Sequence, residues 1–375
     1  MPKSDRILAF ILCALVLTCA IAFLLLPKNT VSEDENRTLA AFPDLSASSL
    51  LDGSFMTGLQ DYTTDHFPVR GFFVQLKVRA DLLTGMRESG GVYLGCDGSL
   101  IDRADVHQND ARFLSRVTAL AQKTPVTLML VPTAVTLYPE RLPSYAPNID
   151  EAHLIENLYQ EFDAASANTA RIVDTLSKLR EFSDTYPLYY RTDHHWTIYG
   201  AYMGYLAYCE TMGIASLPLS DYTVTAASDD FRGSLYARFG DYSLPGETLW
   251  LAELPGQNLT VTYHDTGEVT HSLYNRDYLT KRDQHSAFLN NLHDLVTIEN
   301  PDALSDRTLV VIKDSYANSM LPFLTAHYRT ICVIDPRYYK SAPSELIAGL
   351  GEDVDTLVLY NVGTMDDDAG VGGIF

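Results

Sequence analysis

Two short stretches of this sequence carry the residue types that covalent acyl transfer needs. The first is Arg191-Thr192-Asp193-His194-His195-Trp196-Thr197. On an extended segment residues i and i+2 share a face, so the Asp193 carboxylate can fix the tautomer of the His195 imidazole and stabilise its charged form. His194 then points elsewhere, and Trp196 is placed to pack as a lid or a sugar platform. The second stretch is Lys313-Asp314-Ser315-Tyr316-Ala317-Asn318-Ser319, directly after an apolar run ending at Ile312. A serine at a strand-to-helix turn exposes its hydroxyl at the sheet edge, where the N–H groups that open the next helix can stabilise a developing oxyanion. Ser315 as nucleophile, His195 as base and Asp193 as orienter make a complete set for this chemistry. Each motif also has a purely structural reading, with Asp193 or Thr197 capping one helix and the Asp314-Ser315 pair opening another. Asp and His are zinc ligands too, but spacing supplies no convincing third ligand, so the reading is a site with neither metal nor cofactor.

These residues need a frame that brings them together. Val126 to Val131 is a nearly continuous apolar run, the mark of a strand buried on both faces. The pattern then predicts a helix over Ile149 to Ala165, a strand at Arg171-Ile172-Val173, a helix from Leu176 to Phe182, a strand at Leu188-Tyr189-Tyr190 and a helix over Thr197 to Met212. Strands at Thr308 to Ile312 and Ile331 to Ile334 flank a predicted helix from Ala317 to His327, and Thr356 to Tyr360 is the last strand. Alternating strands and helices imply a mostly parallel sheet in a three-layer α/β domain, whose ligands collect at the carboxyl ends of the strands. From Ser216 to Asn300 short alternating runs replace this rhythm and read as an antiparallel insertion or an active-site cap. Upstream, helical periodicity covers Asp52 to Tyr62 and Arg70 to Thr84, and a hairpin joins Val92-Tyr93-Leu94 to Ser99-Leu100-Ile101.

Composition sets the surroundings. The 375 residues carry 48 acids and 27 bases, a net charge of −21. That balance excludes a phosphate-backbone binder, which needs a concentrated positive field, so no nucleic-acid partner is expected. Ile7 to Leu26 holds no charge and is long enough to cross a hydrocarbon core of about 30 Å. Lys3 and Arg6 precede it and Glu33, Asp34 and Glu35 follow, so the positive-inside bias puts residues 1–6 in the cytoplasm and residues 28–375 outside. A signal peptide cut near Ala20 or Ala22, or a lipoprotein at Cys19, are the alternatives to an uncleaved anchor. Cys96, Cys209 and Cys332 are scattered and odd in number, which points to core filling rather than to a disulfide or metal framework.

At the residues quoted first the sequence resembles the DHHW protein family, within the wider SGNH-hydrolase-like group that includes the alginate O-acetylation proteins of bacterial envelopes. Asp193-His194-His195-Trp196 and Lys313-Asp314-Ser315-Tyr316 carry the resemblance, with Glu35-Asn36-Arg37, Asp65-His66-Phe67-Pro68-Val69-Arg70 and Phe231-Arg232-Gly233-Ser234-Leu235-Tyr236. The serine motif has Lys313 where the usual SGNH form has Gly. The resemblance implies an SGNH-hydrolase-like, flavodoxin-like αβα fold with Ser315 as nucleophile, His195 as general base and Asp193 as orienter. Tyr316, Asn318 and Trp196 become candidate oxyanion or substrate contacts, and Asn291 and Asn361 further possible oxyanion donors. Hydropathy, charge and patterning divide the chain into a cytoplasmic tail (1–6), an anchor (7–26), a tether with helices (27–90) and an α/β domain (91–375) holding the insertion at about 216–300. The expected function is a membrane-anchored, extracytoplasmic O-acetyltransferase acting on a cell-envelope or secreted polysaccharide, with a membrane-bound O-acyltransferase as acyl-donor partner. A carbohydrate O-acetyl esterase on the same triad and a non-catalytic glycan-binding or assembly protein are the alternatives.

Overall fold

A computed structural model describes residues 3–166, 170–366 and 368–375. Met1 and Pro2, the start of the expected cytoplasmic tail, and the Lys3 side chain lie outside the described residues. Two compact units emerge, Met1–Gly90 with Tyr236–Leu244, and Gly91–Leu235 with Pro245–Phe375.

The first unit opens with helix α1 (Lys3–Leu25), whose stretch Ser4–Leu25 has a mean hydropathy of 3.0 and no residue buried by the rest of the chain. It is apolar and long enough to cross a membrane. Helices α2 (Ser54–Asp65) and α3 (Arg70–Leu83) follow. An ion cluster ties the tether to them. Asp65 accepts from both arms of Arg37 at 2.8 and 2.5 Å and from the Ala40 N–H at 2.8 Å, while Glu35 pairs with Arg37 at 2.7 Å and with Arg70. The Arg37 hydrogen bonds outweigh burial and hold the Asp65 carboxyl down at about 2. A carboxyl depressed in the native state stabilises fully above the ordinary value of about 3.9, and that contribution disappears as pH falls towards the depressed one. Asp65→Asn is therefore expected to lower the thermal midpoint by several degrees at pH 7 and to flatten the loss of stability between about pH 4 and pH 2. Thermal melts of the full chain in detergent, followed by circular dichroism across that range, check it. An unchanged acid limb would remove this cluster as its cause.

The second unit is a mixed α/β fold on an eight-stranded, mostly parallel sheet. Its strands are β1 (Val126–Val131), β2 (Ala170–Ile172), β3 (Thr260–Tyr263), β4 (Glu268–Thr270), β5 (Leu295–Glu299), β6 (Thr308–Lys313), β7 (Thr330–Ile334) and β8 (Val354–Asn361). They lie in the order β4-β3-β5-β7-β6-β8-β1-β2. The run from β7 to β2 is parallel, and β5, β3 and β4 extend it as an antiparallel edge. Side chains alternate between two apolar clusters, as the two-residue strand period requires. Met129, Leu309, Val311 and Leu359 join the cluster that holds helix α7 (Ile198–Met212), while Leu128, Val310, Ile312 and Val358 join the one that holds α4 (Asp110–Ala121) and α5 (Glu151–Ala165). Helix α6 (Thr175–Phe182) lies between α5 and α7 in the chain.

Four expectations are corrected. Leu188-Tyr189-Tyr190 is not a strand: Thr197 N–H bonds the Leu188 carbonyl at 2.8 Å and Tyr190 N–H the His195 carbonyl at 3.2 Å, so the segment pairs with its own continuation and leaves only a bridge at Tyr189 and Trp196. The helix from Ala317 to His327 is replaced by a 3₁₀ turn, Ser315–Ser319, and a short helix, Leu321–Leu324. Pro322 has no N–H to bond back to Asn318 and its ring would crowd that carbonyl, which breaks a continuous helix. The insertion is not one antiparallel body. Thr223–Phe231 pairs with Glu247–Glu253 as a separate ribbon, residues 236–244 belong to the first unit, and the rest builds the edge of the main sheet. Cys209 and Cys332 are buried as core filling requires, but Cys96 is exposed.

Candidate active site

Ser315 follows β6 at the carboxyl end of the parallel strands and opens the 3₁₀ turn. Asp314 fixes that turn. Its Oδ1 accepts from the Tyr316 N–H at 2.9 Å, and its Oδ2 accepts from the Asn361 N–H at 2.7 Å and from the Thr364 hydroxyl, tying the turn to the end of β8. Lys313 is buried and pairs with Asp335 at 3.6 Å. Burial pushes the Lys313 ammonium below its ordinary range.

His195 comes from the loop before α7. Thr197, not Asp193, caps that helix, accepting from the Tyr199 and Gly200 N–H groups at 3.2 and 3.4 Å. The Asp193 carboxylate is left for the imidazole: Oδ1 accepts from the His195 N–H at 2.9 Å and lies 2.5 Å from Nδ1. On the far side of the ring, Nε2 is 2.7 Å from Ser315 Oγ. Asp193 is 4% exposed and His195 6% exposed, so the relay is shielded from bulk water. Burial opposes the charge on Asp193, but the imidazoles of His194 and His195 and the hydrogen bond from His195 override it and hold the carboxyl well below its ordinary range. Burial first, then neighbouring His194 and His285, push His195 well below the ordinary imidazole range against the pull of Asp193. Near neutral pH the ring is therefore uncharged and able to accept a proton, with Nδ1–H facing Asp193.

The region from Ser216 to Asn300 supplies the supports. Glu247 accepts from the Arg191 N–H, the Thr192 N–H and the Thr192 hydroxyl at 2.8, 2.7 and 2.6 Å. Ser234 donates its N–H to Asp193 Oδ2 at 2.7 Å, and its hydroxyl meets His194 Nδ1 at 2.6 Å. Gly233 leaves the space in which the carboxylate sits. A Cβ there would lie 2.2 Å from the Asp193 Cβ and Oδ2. Gly233→Ala is therefore expected to displace Asp193 and cut turnover of an acetyl ester by about 10²-fold, the usual cost of misplacing a reacting group by about 1 Å. Ester kinetics with circular dichroism on the same sample check it. Wild-type turnover in the folded variant would show that the carboxylate does not need this position.

The remaining candidates divide. In a 3₁₀ turn residues i and i+3 eclipse, so Ser315 and Asn318 share one side. Asn318 is 6% exposed, and its Oδ1 has no hydrogen-bond partner. Trp196 is a correction: it has no exposed surface to offer a sugar, and its Nε1–H instead donates to the Tyr316 carbonyl and the Ser319 hydroxyl at 2.9 and 2.8 Å, holding the turn from behind. Tyr316 is another, since its N–H is taken by Asp314 and its hydroxyl by the His194 carbonyl. Asn361 donates to the carbonyls of Val131 and Pro132 and accepts from the Gly363 N–H, while Asn291 accepts from the Ser286 hydroxyl. Asp193, His194 and His195 also place ligand atoms within 4.8 Å of one another. Both Asp193 oxygens and both His195 ring nitrogens are nevertheless engaged in the relay and its supports.

His285 escaped the sequence reading. It lies in a 3₁₀ turn, Gln284–Ala287, of the insertion, and its ring stacks on that of His195 with centroids 3.8 Å apart and planes 10° from parallel. No motif or periodicity marks a histidine in an irregular turn.

Comparison with known proteins shows which family the chain belongs to. A protein of Pseudomonas syringae pv. tomato named probable alginate O-acetylase AlgJ is 27% identical over 177 residues. The match takes in 44% of each chain, so this chain spans less than half the length of the curated relatives it resembles. Among solved structures, a DHHW family protein of Eubacterium siraeum superposes with a TM-score of 0.65 at 23% identity, over 76% of this chain and 95% of that one. Bacillus cereus PatB1, solved with a sulfonyl adduct, superposes with a TM-score of 0.58 at 18% identity, over 75% and 99%. Both likenesses are likenesses of fold. The sequence pattern that defines the DHHW protein family matches residues 35–123 and 115–334, and the chain belongs to that family.

Proposed function

We propose that this chain is a membrane-anchored O-acyltransferase that moves acetyl groups onto a cell-envelope or secreted polysaccharide through Ser315, His195 and Asp193. The observation that carries the reading is the unbroken relay from Asp193 through His195 to Ser315, with contacts of 2.5 and 2.7 Å at the carboxyl edge of a parallel sheet. The name of the Pseudomonas syringae relative supports an acetyl group and a polysaccharide. The helices on both sheet faces support a three-layer SGNH-like domain over residues 91–375, preceded by a tether and helices (27–90). Helix α1 supports a single-pass anchor, with residues 28–375 on the extracytoplasmic side.

In this mechanism the Ser315 hydroxyl gives its proton to His195 Nε2 as Oγ bonds to the acyl carbon of the donor. The tetrahedral oxyanion that forms is met by the Asn318 side-chain amide, which shares the face of the turn with Ser315. Collapse breaks the bond to the donor oxygen, which takes the proton from His195 and departs, leaving acetyl-Ser315. A sugar hydroxyl next gives its proton to His195 and attacks, and the Ser315 oxygen takes that proton from His195 as its bond to the acyl carbon breaks. Asp193 holds the ring and stabilises its charged form throughout. A membrane-bound O-acyltransferase fits as the donor's source.

The test uses the full chain in detergent with a chromogenic acetyl ester, with and without candidate oligosaccharides. Acetylated oligosaccharide at the expense of free acetate supports transfer. Acetate alone, whatever sugar is offered, would make the protein an esterase, and no turnover by the folded chain would overturn the catalytic reading.

A further inference from the structure

We propose that His285 contacts the substrate, its Nε2 hydrogen-bonding the sugar hydroxyl oxygen that enters or leaves beside His195. The inference rests on the reading of Ser315 as an acylated nucleophile. In both half-reactions the oxygen exchanging places with Ser315 must also exchange a proton with His195 Nε2, so donor and acceptor oxygens occupy the same position. The His285 ring is stacked 3.8 Å from the imidazole whose Nε2 meets Ser315 Oγ, so it lies beside the group through which both oxygens pass their proton.

The second observation is polar. His285 is 9% exposed, yet its Nε2 is buried without a hydrogen-bond partner. Buried ring nitrogens are rarely left unpaired, because the desolvation cost is uncompensated. A substrate hydroxyl is the missing partner that the surroundings supply. Burial, helped by His194 and Lys313 and opposed by Asp193 and Asp283, keeps His285 below the ordinary imidazole range. Near neutral pH its ring is therefore uncharged and stacks on that of His195.

Two substitutions separate the nitrogen from the stack. His285→Phe keeps a flat ring against His195 and removes the hydrogen bond, while His285→Gln keeps an amide nitrogen near the position of Nε2. Both are compared with wild type, after circular dichroism confirms folding, in two assays: turnover of a fully acetylated glucose, whose leaving group is a sugar hydroxyl, and labelling of Ser315 by a sulfonyl fluoride, which needs only the serine relay. The expected result for His285→Phe is about a ten-fold loss of kcat/KM on the sugar ester with labelling unchanged, and partial recovery in His285→Gln. Equal losses in both assays would reduce His285 to support of His195 and overturn the inference. So would unchanged sugar-ester turnover in folded His285→Phe, or a wild-type chain that is labelled but does not turn over the sugar ester. Failure of wild type to label at Ser315 would instead overturn the underlying reading of the nucleophile.

Discussion

Ser315→Ala should abolish acetyl-ester turnover, by at least about 10⁴-fold, without unfolding the protein, and adding His195→Ala should cost almost nothing more. Residues that act on one proton and one bond fail together, so their losses do not add. Among the described residues, the side-chain hydrogen bond shown for Ser315 goes to His195 Nε2. The turn is held by other groups, Asp314 from one side and Trp196 from the other. Stability should therefore stay near wild type. Kinetics of both single variants and the double variant, alongside thermal melts, check this. Additive losses would mean that the two residues serve separate steps.

Asp193→Asn is expected to cost about 10⁴-fold in kcat, the scale set by triads whose orienting carboxylate is neutralised. The carboxylate accepts from the His195 backbone, the His195 ring and the Ser234 N–H at once. An amide replaces one of its accepting oxygens with a donor and disturbs the tautomer. The pH profile gives a second handle. Only the uncharged His195 can act as base, and its pKa lies below the ordinary imidazole value of about 6.5. The acid limb of kcat/KM should therefore fall below about pH 6.5. Asp193 is the neighbour that pulls this pKa up, so in Asp193→Asn the residual activity should show its acid limb at still lower pH. A limb that moves upward, or a loss of only a few-fold, would mean that Asp193 does not orient this base.

Which parts were legible follows from where each residue's constraints lie. The strands β1, β6, β7 and β8 announce themselves because burial on both faces selects nearly continuous apolar runs, such as Leu128 to Val131 and Leu309 to Ile312. The Asp193/His195 pair and Ser315 could be read because the chemistry restricts residue type and the strand ends restrict place. The structure puts Asp193 and Ser315 on opposite sides of one ring, which no local pattern specifies. The errors came where backbone groups found partners other than the sheet or helix: Tyr190 bonding back to His195, and Pro322 breaking the helix after Ser315. Trp196 and Tyr316 looked like substrate contacts by type, yet their polar atoms hold the nucleophile turn. His285 and Glu247 reach the site only through tertiary folding of the insertion, so their spacing from Ser315 carries no local signal, and Ser234 lies in the Phe231–Tyr236 motif without any local sign that its N–H meets Asp193.

The most direct test of the central claim is to mix the full chain with a chromogenic acetyl ester, quench in acid during turnover, and map the protein by mass spectrometry. A single acetyl group is expected on Ser315, lost again when an acceptor sugar is added and never formed in Ser315→Ala. Turnover with no adduct in wild type and undiminished rate in Ser315→Ala would contradict it.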